Sequence, residues 1–155
     1  MRGSLAVILL LCASPALAQE PTPLLWPDHR SIPARISDVA VGVNLALDGV
    51  HAFRATDHAE RWAFVCRTGL TAGVAEVIKR LVDRARPNGA DRKSFLSGHT
   101  ALATTAARYQ APWGASLALT VAWGRQAGGW HYGTDVLAGA GLGWALGEMC
   151  DEVMR

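Results

Sequence analysis

The chain has 155 residues, half of them hydrophobic, and a formal net charge of +2. That is enough apolar material for one buried core and too little length for two comfortable domains. A charge so near zero argues against a general nucleic-acid binder, so no nucleic-acid partner is expected.

The chain opens "MRGSLAVILLLCASPALAQE". A short basic start, an apolar run from Leu5 to about Leu11 and the small-x-small ending Ala16-Leu17-Ala18 have the layout of a secretory signal peptide covering residues 1–18. A secreted or periplasmic protein follows, the alternative being an uncleaved segment that anchors the chain to the inner membrane. Leu11 precedes Cys12 where a lipoprotein signal has a small residue, which argues against lipid attachment. Removing residues 1–18 takes away only Arg2, leaving 14 Lys and Arg against 13 Asp and Glu.

Residues 19–35 carry four prolines and read as an extended leader lying on the domain, which then occupies 36–155. Ser37 or Asp38 caps a first helix to about Phe53, with Val39, Val43, Leu47 and Val50 along one side. Asp57 caps a longer helix from Ala59 to about Ala85, stopped by Pro87. The loop "NGADRKSFL" follows. Ser97 caps a third helix to about Tyr109, Pro112 suits the first turn of a fourth ending near Trp123, and Thr134 caps a fifth from Asp135 to about Cys150. With no alternating strand pattern, the fold class is all-α, a single-domain bundle of about five helices.

The longest stretch without Asp, Glu, Lys or Arg after residue 18 is Tyr109–Gly124, broken by Pro112 and shorter than the roughly 20 apolar residues that cross hydrocarbon. Other segments carry internal charges such as Arg67, so the domain reads as soluble, with peripheral membrane contact open. Gly139, Gly143 and Gly147, spaced four apart, allow another helix to come close; as a nucleotide loop the run fails because no strand precedes it. Cys66 and Cys150 are either a disulfide, which an exported protein can keep, or two small buried hydrophobes. No Cys/His spacing resembles a metal site, and His51 near Asp48 reads as a core or boundary histidine.

Three groups of residues carry chemistry. Lys79-x6-Arg86-Pro87 puts two cations on one helical stripe about 10 Å apart, in a run from Lys79 to Lys93 that holds six cations and two acids. Ser97-Gly98-His99 opens a helix, where free N–H groups seat an anion and a histidine beside it can protonate a leaving oxygen. Arg125-x5-His131-x3-Asp135 supplies another cation and a histidine whose ring, with a carboxylate at i+4, keeps one nitrogen for attack.

Together and in this order, the three resemble the signature of the type 2 phosphatidic acid phosphatase and vanadium haloperoxidase superfamily: Lys-x6-Arg-Pro, Pro-Ser-Gly-His, Ser-Arg-x5-His-x3-Asp. The likeness spans roughly residues 60–150. It implies an all-helical bundle and a phosphatase acting on a lipid phosphate or small phosphate ester. Lys79, Arg86, Ser97, Gly98 and Arg125 would hold the phosphoryl group, His131 would become phosphohistidine with Asp135 orienting it, and His99 would protonate the leaving alkoxide. No metal or cofactor is implied, although vanadate fits the same cradle as a phosphate mimic. The chain departs from the pattern at Leu96, where the family has proline, and at Gly124, where it has serine. Two other functions remain compatible: vanadate-dependent halide oxidation, and a non-catalytic anion-binding protein.

Overall fold

A computed structural model describes residues 31–110 and 112–154, so the expected signal peptide and most of the leader lie outside the described residues. Among the described residues there are five helices and no strand: α1 Ile32–Arg54, α2 His58–Val82, α3 Gly98–Ala107, α4 Trp113–Ala127 and α5 Gly133–Met154. The all-α expectation holds; several boundaries do not.

Helix α1 starts six residues earlier than Ser37. Ser31 is its cap, accepting from the Ala34 N–H at 3.4 Å, and Pro33 occupies the first turn, where a missing N–H costs no hydrogen bond. Residues 31–35 are therefore cap and first turn rather than leader, and Ser37 is a buried helical residue donating to the Ala34 carbonyl at 2.7 Å. Asp57 caps α2 as expected. That helix ends at Val82 because Asp83 turns left-handed, with φ 47°, and residues 83–97 run as an irregular loop. Helix α5 begins at Gly133, and Thr134 Oγ1 is not its cap but an acceptor from Arg84 at 2.9 Å.

The short α3 lies in the middle, packed against all four other helices. Its Ala101, Ala103 and Ala106 are fully buried, and such small side chains let the neighbours close in. Helix α5 crosses it at glycines: a Cβ on Gly143 would sit 2.8 Å from the Ala101 carbonyl carbon and nearer still to its oxygen. At Gly139 a Cβ would press on the Ser97 carbonyl, whereas at Gly147 it would meet only side chains, at 3.6 Å and beyond. Cys66 of α2 and Cys150 of α5 form a disulfide across a sequence separation of 84.

Much of the interior is polar. Arg67 is wholly buried, held by Asp48 at 2.6 and 3.3 Å and by Glu60 at 3.3 Å, its guanidinium 3.7 Å from the centre of the Tyr109 ring. Asn44 donates to the Ala103 carbonyl at 2.9 Å, and Thr105 to that of Gly143 at 2.7 Å. Because Arg67 points inward to partners, its charge says nothing about the helix's outer surface.

That surface is apolar. Val39, Val43, Leu47 and Val50 face outward, continuing a stripe through Ile32, Ile36 and Phe53, while the inner face of α1 packs Ala34, Ala40, Asn44, Asp48 and Ala52. Much of the buried face of α1 is small or polar, and the large apolar side chains of this helix point outward. Trp62, Trp113, Trp123 and Trp144, on three other helices, are likewise at least half exposed. With 23 residues, α1 is long and apolar enough to cross a membrane by length and composition.

Candidate functional site

Residues from every helix meet at one end of α3. Lys79, in the last turn of α2, lays its ammonium over the first residue of α3: a Cβ on Gly98 would come within 3.1 Å of Nζ. A side chain there would need the ammonium to shift by a few tenths of an ångström. Ser97 caps α3, its hydroxyl accepting from the Thr100 N–H at 3.3 Å and lying 2.9 Å from Thr100 Oγ1, while its own N–H donates to the Asp135 carbonyl at 3.0 Å. Fully buried, Ser97 shapes the turn, and the N–H groups of Gly98 and His99 beside it are ones that a helix start leaves without intrahelical acceptors. Leu96, in the family's proline position, is a wholly buried core residue packed with Ala75, Ala101 and Leu142.

Arg125, in the last turn of α4, is only 5% exposed. Its Nη1 lies 2.8 Å from Asp38 Oδ1 and 3.5 Å from Ser37 Oγ, both on α1. Both its guanidinium and that of Arg86 approach the Trp130 ring, at 4.9 and 4.6 Å from the centroid, so one aromatic ring steadies two like charges. Arg86 also donates to the Trp130 carbonyl at 3.3 Å and pairs with Asp91 at 2.6 Å. The N–H groups of Trp130 and His131 both donate to the Arg125 carbonyl, which folds the α4–α5 turn back over the site. At Gly124 a Cβ would lie 2.7 Å from that of Ser37 and nearer to the Pro33 carbonyl, so the family's serine has no room. The Ser37 hydroxyl, approaching from α1, occupies the space beside Arg125.

His131 is buried in the turn before α5. Its Nδ1 lies 2.6 Å from the Ser94 carbonyl oxygen, which can only accept; Nδ1 therefore carries the proton and Nε2 keeps a lone pair. Asp135 is 3.9 Å from Nδ1, beyond hydrogen-bond reach. The expected His131–Asp135 hydrogen bond is thus corrected: i,i+4 pairing needs both residues in the helix, and α5 starts only at Gly133. Asp135 accepts instead from Ser94 Oγ, from Arg84 and, at 3.0 Å, from the Tyr132 N–H. It braces Ser94, and Ser94 orients the imidazole.

His99 faces the same centre from α3, partly exposed, with Nε2 3.3 Å from Asp38 Oδ1. Burial, then the Arg125 cation, pushes its pKa down to about 4, against an opposing pull from Asp38. Burial and then Arg125 and Arg86 hold His131 well below the usual histidine range. Burial, helped by Arg86, lowers Lys79 and brings Arg125 to about 10. Both imidazoles feel the same three cations, Lys79, Arg86 and Arg125, and both are neutral at pH 7. A neutral His131 keeps its Nε2 lone pair, and an anion beside His99 would favour its protonated form.

Next to Lys79, Gly98 and His99 lies a cavity of about 220 Å³ between α1, α2 and α3, walled on its apolar side by Val41, Leu45, Ala72 and Leu102.

Of the residues expected from the sequence, Lys79, Arg86, Gly98, His99, Arg125 and His131 share one centre, and Ser97 and Asp135 stand behind it. From sequence alone Asp38 reads as a helix cap, Arg84 as one charge in a basic run, and Ser94 as plain loop. The short distance of Ser94 from Ser97 was the one local hint that it borders the seat. Comparison with protein-family models, with curated proteins and with solved structures finds no match for this chain.

Proposed function

We propose that the protein is an exported, metal-independent phosphomonoesterase that works through a phosphohistidine on His131. The observation that carries this reading is the common field of Lys79, Arg86 and Arg125 at two neutral imidazoles beside a helix start, assembled from segments up to about 50 residues apart in sequence. Three fixed cations match the charge of a phosphoryl group as it transfers, the task that metal ions perform in other phosphoryl-transfer sites. The resemblance to the type 2 phosphatidic acid phosphatases supports the same roles.

In this reaction the phosphate dianion lies between Lys79, Arg86, Arg125 and the Gly98 and His99 N–H groups. His131 Nε2 attacks phosphorus, forming an N–P bond as the ester P–O bond breaks. His99, protonated once the dianion offsets the surrounding cations, gives its proton to the leaving alkoxide, an effect of about 10²- to 10⁴-fold. Water then attacks phosphorus, His99 takes a proton from it, and the N–P bond breaks to release inorganic phosphate. The apolar cavity beside His99 suits the ester's organic group, and the apolar outer faces suit a substrate carried in lipid. Both favour alkyl, aryl or lipid phosphates over sugar or nucleotide phosphates.

The test is phosphate release from p-nitrophenyl phosphate and from phosphatidic acid in mixed micelles. Hydrolysis of at least one is expected, with loss of turnover in His131→Ala. No release from either, or a His131→Ala protein as active as the parent, would overturn the reading.

A further inference from the structure

No step of that reaction uses Asp38, although its carboxylate stands inside the cradle. One oxygen, Oδ1, lies 2.8 Å from Arg125 Nη1 and 3.3 Å from His99 Nε2. Those are the groups that would meet a phosphoryl oxygen and the leaving oxygen, so Asp38 Oδ1 occupies ground that a bound phosphate ester needs. Arg125 is nearly all buried, and a buried guanidinium without a counter-ion is strongly destabilising. The neighbouring cations cannot help: Arg86 has Asp91 at 2.6 Å, and Lys79 adds like charge. Asp38 is the carboxylate that reaches Arg125 from α1. Its side chain is 56% exposed, whereas Ser37 next to it is wholly buried, so the carboxylate can swing out to water while the helix stays put.

We infer that Asp38 is a resident counter-anion of the cradle, a positioning residue that holds Arg125 and His99 together and that the phosphate of an incoming ester displaces. The inference rests on the phosphatase reading of the site. An ester can offset the displacement by placing its organic group in the cavity beside His99; inorganic phosphate has no such group. Asp38 therefore works selectively against the product, favouring its release and limiting its inhibition.

The experiment measures inorganic phosphate and vanadate binding by calorimetry, and kcat and KM on p-nitrophenyl phosphate, for the parent protein, Asp38→Asn and Asp38→Glu. Thermal unfolding checks that each is folded, and Asp38→Ala repeats the charge removal with a different side chain. Asp38→Asn keeps the shape and removes the charge, so phosphate should bind about tenfold tighter, equivalent to ~1.4 kcal/mol. KM should fall, kcat should fall with slower product release, and Asp38→Glu should stay near the parent. Folded Asp38→Asn and Asp38→Ala proteins that bind phosphate no tighter than a phosphate-binding parent would overturn the inference alone. A parent that binds neither anion and cleaves no ester removes the phosphatase reading and the inference with it.

Discussion

Helix α5 contains a matched pair of glycines two residues apart that should respond oppositely to one added methyl. Alanine is favoured over glycine in a helix by about 1 kcal/mol. At Gly141 a Cβ meets nothing within 4 Å, so Gly141→Ala should collect that preference and stabilise the protein by up to about 1 kcal/mol. At Gly143 the same Cβ would lie 2.8 Å from the Ala101 carbonyl carbon, where ordinary contact begins at 3.4 Å. The two backbones would have to part by more than half an ångström, a movement that also stretches the 2.7 Å hydrogen bond from Thr105 to the Gly143 carbonyl. Overpacking costs about 1–3 kcal/mol and a weakened hydrogen bond about 1 kcal/mol more. Set against the helical gain, Gly143→Ala should lose about 1–3 kcal/mol. Urea unfolding followed by circular dichroism gives both numbers, with slopes expected to stay equal. If Gly143→Ala proved as stable as Gly141→Ala, the close crossing of α3 and α5 would be wrong, and with it the account of how the Ser97 turn is held.

Asp135→Asn should cost about 3 kcal/mol, since it removes the charge of a fully buried carboxylate that accepts from Arg84, Ser94 and the Tyr132 N–H. Asp135→Asn and Arg84→Met should cost less together than the sum of their separate losses in the same unfolding assay, an outcome that a purely catalytic Asp135 would not give. Stability should also fall as pH drops from about 6.5 toward 4. Folded His99 and His131 have pKa values below the 6.5 of a free histidine, so the unfolded chain binds protons first; their contribution is complete above 6.5 and is lost on the way down through about 4 for His99. Thermal midpoints across that range should slope less steeply in His99→Gln, and an unchanged slope would count against the partly buried, cation-facing placement of that ring.

The helices were legible because caps and prolines act locally: Asp57 and Ser97 each satisfy N–H groups within three residues of themselves. The start of α1 was missed because four prolines looked like an extended leader, when one of them, Pro33, fits a first turn. Periodicity correctly grouped Val39, Val43, Leu47 and Val50, but it cannot tell which way a stripe faces when the opposite side mixes Ala34, Ala40, Val41 and Ala52 with buried Ser37, Asn44 and Asp48. In the site, spacing singled out Lys79, Arg86, Arg125, His99 and His131, which the fold brings to one centre. It gave the wrong partner for His131, since i,i+4 presumes a helix that begins two residues later. Asp38 and Ser94 reach the site only through tertiary packing, from 87 and 37 residues away from their partners Arg125 and His131, a distance over which sequence carries no period.

Helix α3 is ten residues long, yet it touches every other helix and carries the proposed anion seat at its first turn. On the phosphatase proposal, the most constrained element of the molecule performs the least specific task, holding a group common to all phosphate esters. Choice among esters is left to positions that can vary freely around it, such as Val41, Leu45 and Leu102 along the neighbouring cavity. A lineage built on this plan can exchange substrates by repainting those walls without redesigning its chemistry, whereas a change at Gly143, remote from any substrate, puts the whole apparatus at risk.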